Sequence, residues 1–206
     1  MRDWPIDFDE LQRSLAQMQP QTEQLCDRRA ASVALIVQAA PLGLELLFIE
    51  RARHPGDPWS GNLGFPGGRR DPGDIDLRHT AERETREEIG IDLCQARYLG
   101  RLADIVGQNL PIRVSCFVYG LQQQVEPQRS TEVQDVFWYR LEELFAPQRQ
   151  VLSRVEFGGR VLEAPAVDLG LADKPVLWGI TYRLVSQFRQ LVCPDAGPDR
   201  STGLSI

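Results

Sequence analysis

The segment Arg83-Glu84-Thr85-Arg86-Glu87-Glu88 sets three carboxylates, Glu84, Glu87 and Glu88, within little more than one helical turn. At about 100° per residue they share an arc of about 100°, and like charges at i, i+3 and i+4 destabilise an isolated helix. Leu77, Ala81, Thr85 and Ile89 run beside that arc at i+4 spacing, so one flank belongs against a core and the acidic residues border it. Carboxylates in that position cannot rely on water alone and need positive charge. Arg83, one turn before Glu87, can pair with it, while Glu82 and Arg86 form a second i,i+4 pair on another face. A hard divalent cation, magnesium above all, would neutralise the remainder through oxygen ligands. Acidic residues at Asp74–Asp76 suit the start of this helix and Gly90 its end. A solvated, salt-bridged surface helix has the same charge run, so the run needs its context.

That context is the preceding loop, Phe65-Pro66-Gly67-Gly68. Paired glycines allow backbone geometries and close approaches closed to other residues, Phe65 and Pro66 anchor and stiffen the entry, and the Gly68 carbonyl can complete a metal's oxygen shell. A simple turn is the other reading of the same four residues.

The rest of the chain alternates strand-like and helix-like segments. Phe8, Leu11, Leu15 and Met18 have helical spacing, with Pro20 closing a short helix. Val33–Gln38 and Leu44–Ile49 read as strands joined by Pro41-Leu42-Gly43, followed by a Gly-, Pro- and Asp-rich loop over Arg51–Gly64. Loops of that length in compact domains are often functional. Arg97–Ile105, Ile112–Leu121 and Val133–Tyr139 are further strands and Leu141–Phe145 a short helix. Val151–Ala164 forms a hairpin around Gly158-Gly159, and Leu177–Val192 forms a helix with one mainly apolar face. That face can pack within the chain or across a homodimer. The expected organisation is an N-terminal helical extension over residues 1–28, a main domain over 29–193 and a tail over 194–206. The interleaving of strands and helices indicates an α/β or α+β fold.

Composition narrows the function classes. A net charge of -6 offers no general attraction to nucleic acid, although a bound cation can reverse the field locally for a phosphorylated ligand. Cys26, Cys94, Cys116 and Cys193 are too dispersed for zinc or redox pairs. His54 and His79 are too few for a histidine-rich metal site and lack triad context. No apolar run has the length of a membrane span, and the N-terminus lacks the apolar stretch of a secretory signal, so the cytoplasm is the expected location.

Taken together, Gly68, five residues, Asp74, eight residues and then Arg83-Glu84-Thr85-Arg86-Glu87-Glu88-Ile89-Gly90-Ile91 resemble the Nudix box. The box has Glu where this chain has Asp74, one residue fewer before its Arg, and an apolar residue in place of Thr85. The Asp71-Pro72-Gly73-Asp74 loop that accompanies the extra residue is similar to the coenzyme A pyrophosphatase branch. So are Leu46-Leu47-Phe48-Ile49-Glu50-Arg51 with Gly61 through Gly68, and Leu177-Trp178-Gly179-Ile180-Thr181. In that upstream motif Trp59 replaces a His, the preceding spacing is one residue longer, and Arg51-Ala52 replaces Arg-Ser.

The resemblance implies a Nudix-type α/β/α sandwich with a mixed β-sheet and a catalytic loop–helix–loop. It implies magnesium, with manganese as substitute, held by Glu84, Glu87, Glu88 and the Gly68 carbonyl; Arg83 orients the glutamates, and Asp74 takes the first glutamate's place. The general base is Glu87, Glu88 or Glu132, the last in a segment similar to one in many Nudix proteins. Arg51, Trp59, Phe65 and Arg70 are the candidate substrate-binding residues, with Trp59 either stacking on an adenine or capping the core. The implied reaction is hydrolysis of a diphosphate linkage, in coenzyme A or a related derivative. The alternatives are a broader hydrolase acting on ADP-ribose or oxidised nucleotides, and a Nudix fold kept as a binding module.

Overall fold

The computed structural model describes residues 7–18, 29–57, 59–107 and 112–193. Pro20 and the tail from Pro194, both singled out in the sequence, lie outside these residues, as does most of the stretch up to residue 28.

A twelve-residue strand, β1 (Arg29–Ala40), organises the main sheet. It alternates Ala34 and Ile36 on one face with Leu35 and Val37 on the other, all fully buried, as a strand between two covering layers requires. β7 (Ile112–Leu121) runs parallel to β1 along its length, and β2 (Gly43–Arg51) pairs antiparallel with its end, Val37–Ala40 opposite Gly43–Leu46. β5 (Arg97–Arg101) and the two-residue β6 (Ile105–Val106) line the far side of β7, and β8 (Val133–Arg140) lines the far side of β2. The sheet is therefore mixed, with eight strands once the short β3 (Leu63–Gly64) and β4 (Gly67–Arg69) are included.

The placement of those two short strands matters most. β4 pairs with the first half of β1, at Ala31–Val33, on the side where β2 takes the second half. β3 instead follows β2 outward and pairs at Ile49–Glu50. β1 and β2 thus part, and the Phe65–Gly68 loop bridges the fork between them.

Helices cover both faces. α2 (Leu77–Ile89) lies on one, over Ala34, Ile36, Leu47, Ile49, Phe117 and Tyr119. α1 (Phe8–Gln17), the one-turn α3 (Leu141–Leu144) and α4 (Gly179–Val192) lie on the other, with Leu35, Val37, Leu46, Phe48, Cys116 and Val118. Asp7 caps α1, its carboxylate accepting from Glu10 N–H at 2.7 Å, and Leu11 and Leu15 enter the core. The apolar face of α4, with Leu184, Phe188 and Val192, is covered within the chain. The expected α/β/α layering is the observed one.

A second antiparallel sheet closes the C-terminal end: β9 (Gln150–Phe157), β10 (Arg160–Val167) and β11 (Leu177–Trp178). The segment between β10 and β11 is pinned to the main sheet by Lys174, whose ammonium lies 3.1 Å from Glu50 and 2.7 Å from Asp135. Two expected elements are corrected here. Leu177 and Trp178 are not helical, because they pair with Val167 and Ala166 and the helix begins at Gly179. The strand expected over Arg97–Ile105 breaks at 102–104, where the Asp104 side chain turns inward to accept from Ser115 Oγ at 2.8 Å and to pair with Arg101.

Truncating the buried side chain at the centre of α4, Phe188→Ala, should cost about 3–5 kcal/mol. Urea denaturation checks this, and a loss below 1 kcal/mol would mean that α4 is not part of the cooperative core.

Candidate active site

α2 carries the acidic arc, and its two ends fix the arc's position. Asp76 caps the N-terminus, accepting from His79 N–H at 2.8 Å. At the other end Gly90 takes a left-handed φ of 70° and its N–H reaches Arg86 O. The next orphan carbonyls of the helix, Glu88 O and Ile89 O, are taken by Ser130 N–H and Gln128 N–H, each at 2.8 Å. Capping by the 128–132 segment brings Glu132 to the same cavity wall as Glu84 and Glu88. Its backbone is held there by Ala52 N–H, 2.9 Å from Glu132 O.

The three glutamates occupy different environments. Glu88 is 3% exposed; one carboxylate oxygen accepts from Gly67 N–H at 2.8 Å, and the other faces Arg51 across 3.6 Å. Burial pushes its carboxyl up to about 7, against the opposing effects of the Gly67 hydrogen bond and the Arg51 charge. Glu84 is half-buried over Gly68, and its carboxyl is likewise raised by burial, with Arg83 opposing. Glu87 is more than half exposed on the outer side, paired with Arg83 at 2.9 Å. Glu84, Glu88 and Glu132 line the cavity; Glu87 does not.

The glycines explain the close approach. Gly67 has φ 153°, and a β-carbon there would stand 2.2 Å from Ser32 O. One on Gly68 would stand 2.5 Å from the Glu84 carboxylate. Only glycine lets β4 pass between β1 and the acidic face of α2.

Arg83 is the hub of the arc. Its guanidinium forks onto Asp74 at 2.9 and 3.0 Å, reaches Glu87 at 2.9 Å and Glu84 at 3.0 Å, and donates to Arg69 O at 3.3 Å. Asp74, 4% exposed, also accepts from Thr80 Oγ1 at 2.9 Å and from Asp71 N–H at 2.8 Å. The Arg83 hydrogen bonds hold its carboxyl well below the usual carboxylate range, and burial opposes them. Asp74 therefore anchors Arg83 and does not line the cavity. The expected Glu82–Arg86 pair is replaced: Glu82 takes Arg78 at 2.9 Å and the Tyr119 hydroxyl at 2.9 Å.

The cavity, about 520 Å³, lies in the fork of the sheet. The carboxylates and Arg51 form one wall. Val33, Val114, Trp59, Trp178, Ile180 and Leu184 form an apolar one. Trp59 is half-buried with its ring 5.0 Å from Phe157, which in turn meets Trp178 edge-on at 6.0 Å. Asn62 accepts from Trp178 Nε1 at 3.0 Å and Leu63 O from Thr181 Oγ1 at 3.2 Å, tying the loop to the C-terminal segment. Asn62 and Phe157 were not singled out by sequence, and Trp178 figured only within the segment Leu177–Thr181, without a role at the site. An aromatic beside the Gly158-Gly159 turn of the hairpin was the available signal for Phe157. Phe65 lies in the floor, stacked on Phe48 at 5.3 Å. Arg70 stands apart: it is exposed, outside the cavity lining, and its guanidinium donates to Asp74 O and Ile75 O at 3.2 and 3.4 Å.

Comparison with known proteins fits this geometry. The NUDIX domain model matches residues 27–157, more than half of the chain. The chain belongs to the Nudix family. It is of the pyrophosphohydrolase kind and resembles the coenzyme A pyrophosphatase branch. It is 30% identical over 187 residues to the mitochondrial coenzyme A diphosphatase of Homo sapiens, covering 89% of this chain and 78% of that one. A probable nudix hydrolase of Schizosaccharomyces pombe is 28% identical over 82% of this chain, which spans only 58% of that relative. Among solved structures, a MutT/nudix family protein from Enterococcus faecalis superposes with a TM-score of 0.54, at 13% identity, over 92% of this chain and 76% of that one. The NUDIX domain of Shewanella oneidensis NrtR, solved with ADP ribose, gives 0.53 at 18% identity, over 86% and 96%. These two show the fold alone. No helix among the described residues of this Nudix chain is long and apolar enough to cross a membrane.

Do the residues suit a hard divalent ion? Among the described residues no three acidic, histidine or cysteine side chains are gathered as a ready-made ligand set, since Arg83 and Arg51 hold the glutamates. The donor chemistry nevertheless fits. Glu84 and Glu88 are adjacent oxygen donors whose burial leaves their charge poorly compensated, and magnesium takes such ligands.

Two outcomes follow from this geometry. Gly67→Ala should prevent β4 from docking, lowering stability by at least about 2 kcal/mol; an unchanged unfolding midpoint would contradict the close approach. Asp74→Asn should cost about 2–4 kcal/mol at pH 7, because it leaves Arg83 short of its buried partner. The folded carboxyl of Asp74 titrates below its unfolded value, so its contribution is complete above about pH 4 and is lost as pH falls further. Denaturation curves at pH 7 and pH 3 should show the difference between wild type and variant shrinking at the lower pH.

Proposed function

We propose that this chain hydrolyses the diphosphate linkage of coenzyme A, or of a related derivative, to phosphopantetheine and adenosine 3',5'-bisphosphate, using magnesium with manganese as substitute. The observation that carries this reading is the two-walled cavity, which joins a carboxylate face to an apolar and aromatic one. A diphosphate bearing a nucleoside on one side and a long uncharged arm on the other matches both. The likeness to the human diphosphatase over most of the chain supports the same substrate.

Glu84 and Glu88 would hold the ion from the helix, the Gly68 carbonyl from the loop, and Glu87 after turning inward from Arg83. Once bound, a divalent ion supplies neutralisation of the diphosphate oxygens and acidification of the attacking water. Arg83 keeps Glu84 in place through its anchor at Asp74. Glu132, exposed at the cavity wall on a backbone held by Ala52, is the base assigned to take the proton of the attacking water. The water oxygen bonds to one phosphorus as the bond from that phosphorus to the bridging oxygen breaks. Arg51 and Trp59 line the same cavity as the leading substrate contacts, and Phe65 supports its floor. We drop Arg70 from the substrate contacts, because its guanidinium is bound to loop carbonyls outside the cavity.

A product-resolved screen of coenzyme A, ADP-ribose and nucleoside triphosphates with magnesium and manganese tests the substrate. Cleavage of coenzyme A is expected; turnover of ADP-ribose with none of coenzyme A would replace this reading by the broader hydrolase. Glu88→Gln should lower kcat by at least about 100-fold without lowering the unfolding midpoint, because the neutral amide is cheaper to bury. Near-wild-type turnover in that variant would remove Glu88 from the mechanism.

A further inference from the structure

Arg51, the last residue of β2, has a fixed backbone and a loosely held side chain. Its N–H donates to Asn62 O at 3.1 Å and its carbonyl accepts from Gly61 N–H at 3.2 Å, where the β2–β8 register shifts between Glu50 and Arg51. The guanidinium spans two acids, with one terminal nitrogen 3.3 Å from Asp57 Oδ2 and the other 3.6 Å from Glu88 Oε1. Charge-assisted hydrogen bonds settle at about 2.7–2.9 Å, so neither partner grips it, and its Nε is buried with no hydrogen-bond partner. Arg83, with three carboxylates at 2.9–3.0 Å, is the contrast within the same site. Asp57 is in turn the acceptor for Trp59 N–H, at 3.0 Å through its other oxygen. One loosely held cation thus links the most buried carboxylate of the acidic helix to the turn that carries an aromatic wall residue.

We propose that Arg51 is a positioning residue: it is the counter-ion of Glu88 until a divalent cation arrives, and its release then steadies the Asp57 carboxylate that accepts from Trp59 N–H. This rests on the metal reading of Glu88 given above. A divalent charge at Glu88 both competes with the guanidinium and repels it. Asp57 is the acid within its reach, and a firm Arg51–Asp57 pair fixes the backbone that Trp59 is bound to. The same guanidinium, freed on one side, offers N–H donors to a substrate oxyanion in the cavity. Cation binding therefore precedes, and shapes, the aromatic wall. Arg51 weakens the cation site in the absence of substrate and orders the wall in return.

The test uses the full chain as wild type, Arg51→Gln and Arg51→Lys, without substrate, at pH 8. Manganese affinity is measured by calorimetry or electron paramagnetic resonance, and hydrogen exchange is followed in peptides covering residues 52–62 with and without magnesium. Arg51→Gln should bind manganese more tightly, by roughly three- to tenfold. Magnesium should slow exchange over 52–62 in wild type and in Arg51→Lys but not in Arg51→Gln. Unchanged or weaker manganese binding by Arg51→Gln, or a magnesium response that survives in it, overturns the proposal. Failure of wild type to bind manganese at all overturns the metal reading beneath it.

Discussion

Glu88 carries a carboxylate on the sheet side of its helix, where burial makes ionisation costly, and much of the surrounding architecture offsets that cost. The Gly67 N–H reaches one of its oxygens because β4 can run close beneath α2, and β4 runs there because two glycines remove the β-carbons that would meet Ser32 and Glu84. The fork between β1 and β2 makes room for that passage. The Glu88 carbonyl is capped by Ser130, which sets the approach of Glu132. A single poorly solvated charge thus ties together a loop, a sheet edge and a second loop some 40 residues away in sequence.

Arg83 solves a different problem. Adjacent carboxylates on one helical turn repel, and one guanidinium set between Glu84 and Glu87 and anchored on Asp74 turns that repulsion into a rigid frame. Its orientation depends on Asp74, which is one carbon shorter than the glutamate of the box and stands one residue farther from the arginine. Thr80 Oγ1 and Asp71 N–H fill the acceptor positions that Arg83 leaves open, so the departure from the pattern is absorbed locally. The arrangement also separates the glutamates by task. Glu84 and Glu88 face the cavity, while Glu87 balances Arg83 from outside.

What could be read from the sequence was mostly what is local. The i, i+3, i+4 spacing, the flanking apolar stripe, Gly90 and the Arg83–Glu87 pair depend on residues within one or two turns, and all are found as expected. Where a distant residue competes, periodicity fails. Glu82 is one turn from Arg86, yet Tyr119 on β7 and Arg78 capture it, because a partly buried hydroxyl and a guanidinium already resting on Tyr98 outbid an exposed pair. Leu177 and Trp178 continue the helical spacing of α4, but β10 offers them a ladder, and strand pairing decides. Arg70, a candidate substrate-binding residue beside the glycines, instead donates to the Asp74 and Ile75 carbonyls.

The two walls of the cavity differ in the same way, which explains why reaction class and substrate are unequally legible. In the carboxylate wall Glu84 and Glu88 come from one helix, which with the glycine loop before it writes the metal-binding chemistry in some twenty consecutive residues, and Glu132 joins them from the loop before β8. The apolar wall is assembled from Val33, Trp59, Val114, Trp178 and Leu184, on separate strands, a loop and a helix. Its shape depends on contacts such as Trp178–Asn62 and Thr181–Leu63, which no short motif encodes. Substitutions in that wall can change what is bound without disturbing the Asp74–Arg83–Glu84 frame, because no hydrogen bond of the frame passes through it. Arg51 is the exception: it stands in the carboxylate wall, yet it is in ion-pair reach of both Glu88 and Asp57, and Asp57 accepts from the N–H of Trp59 in the apolar wall, so on the proposal above a change in one wall would be felt in the other.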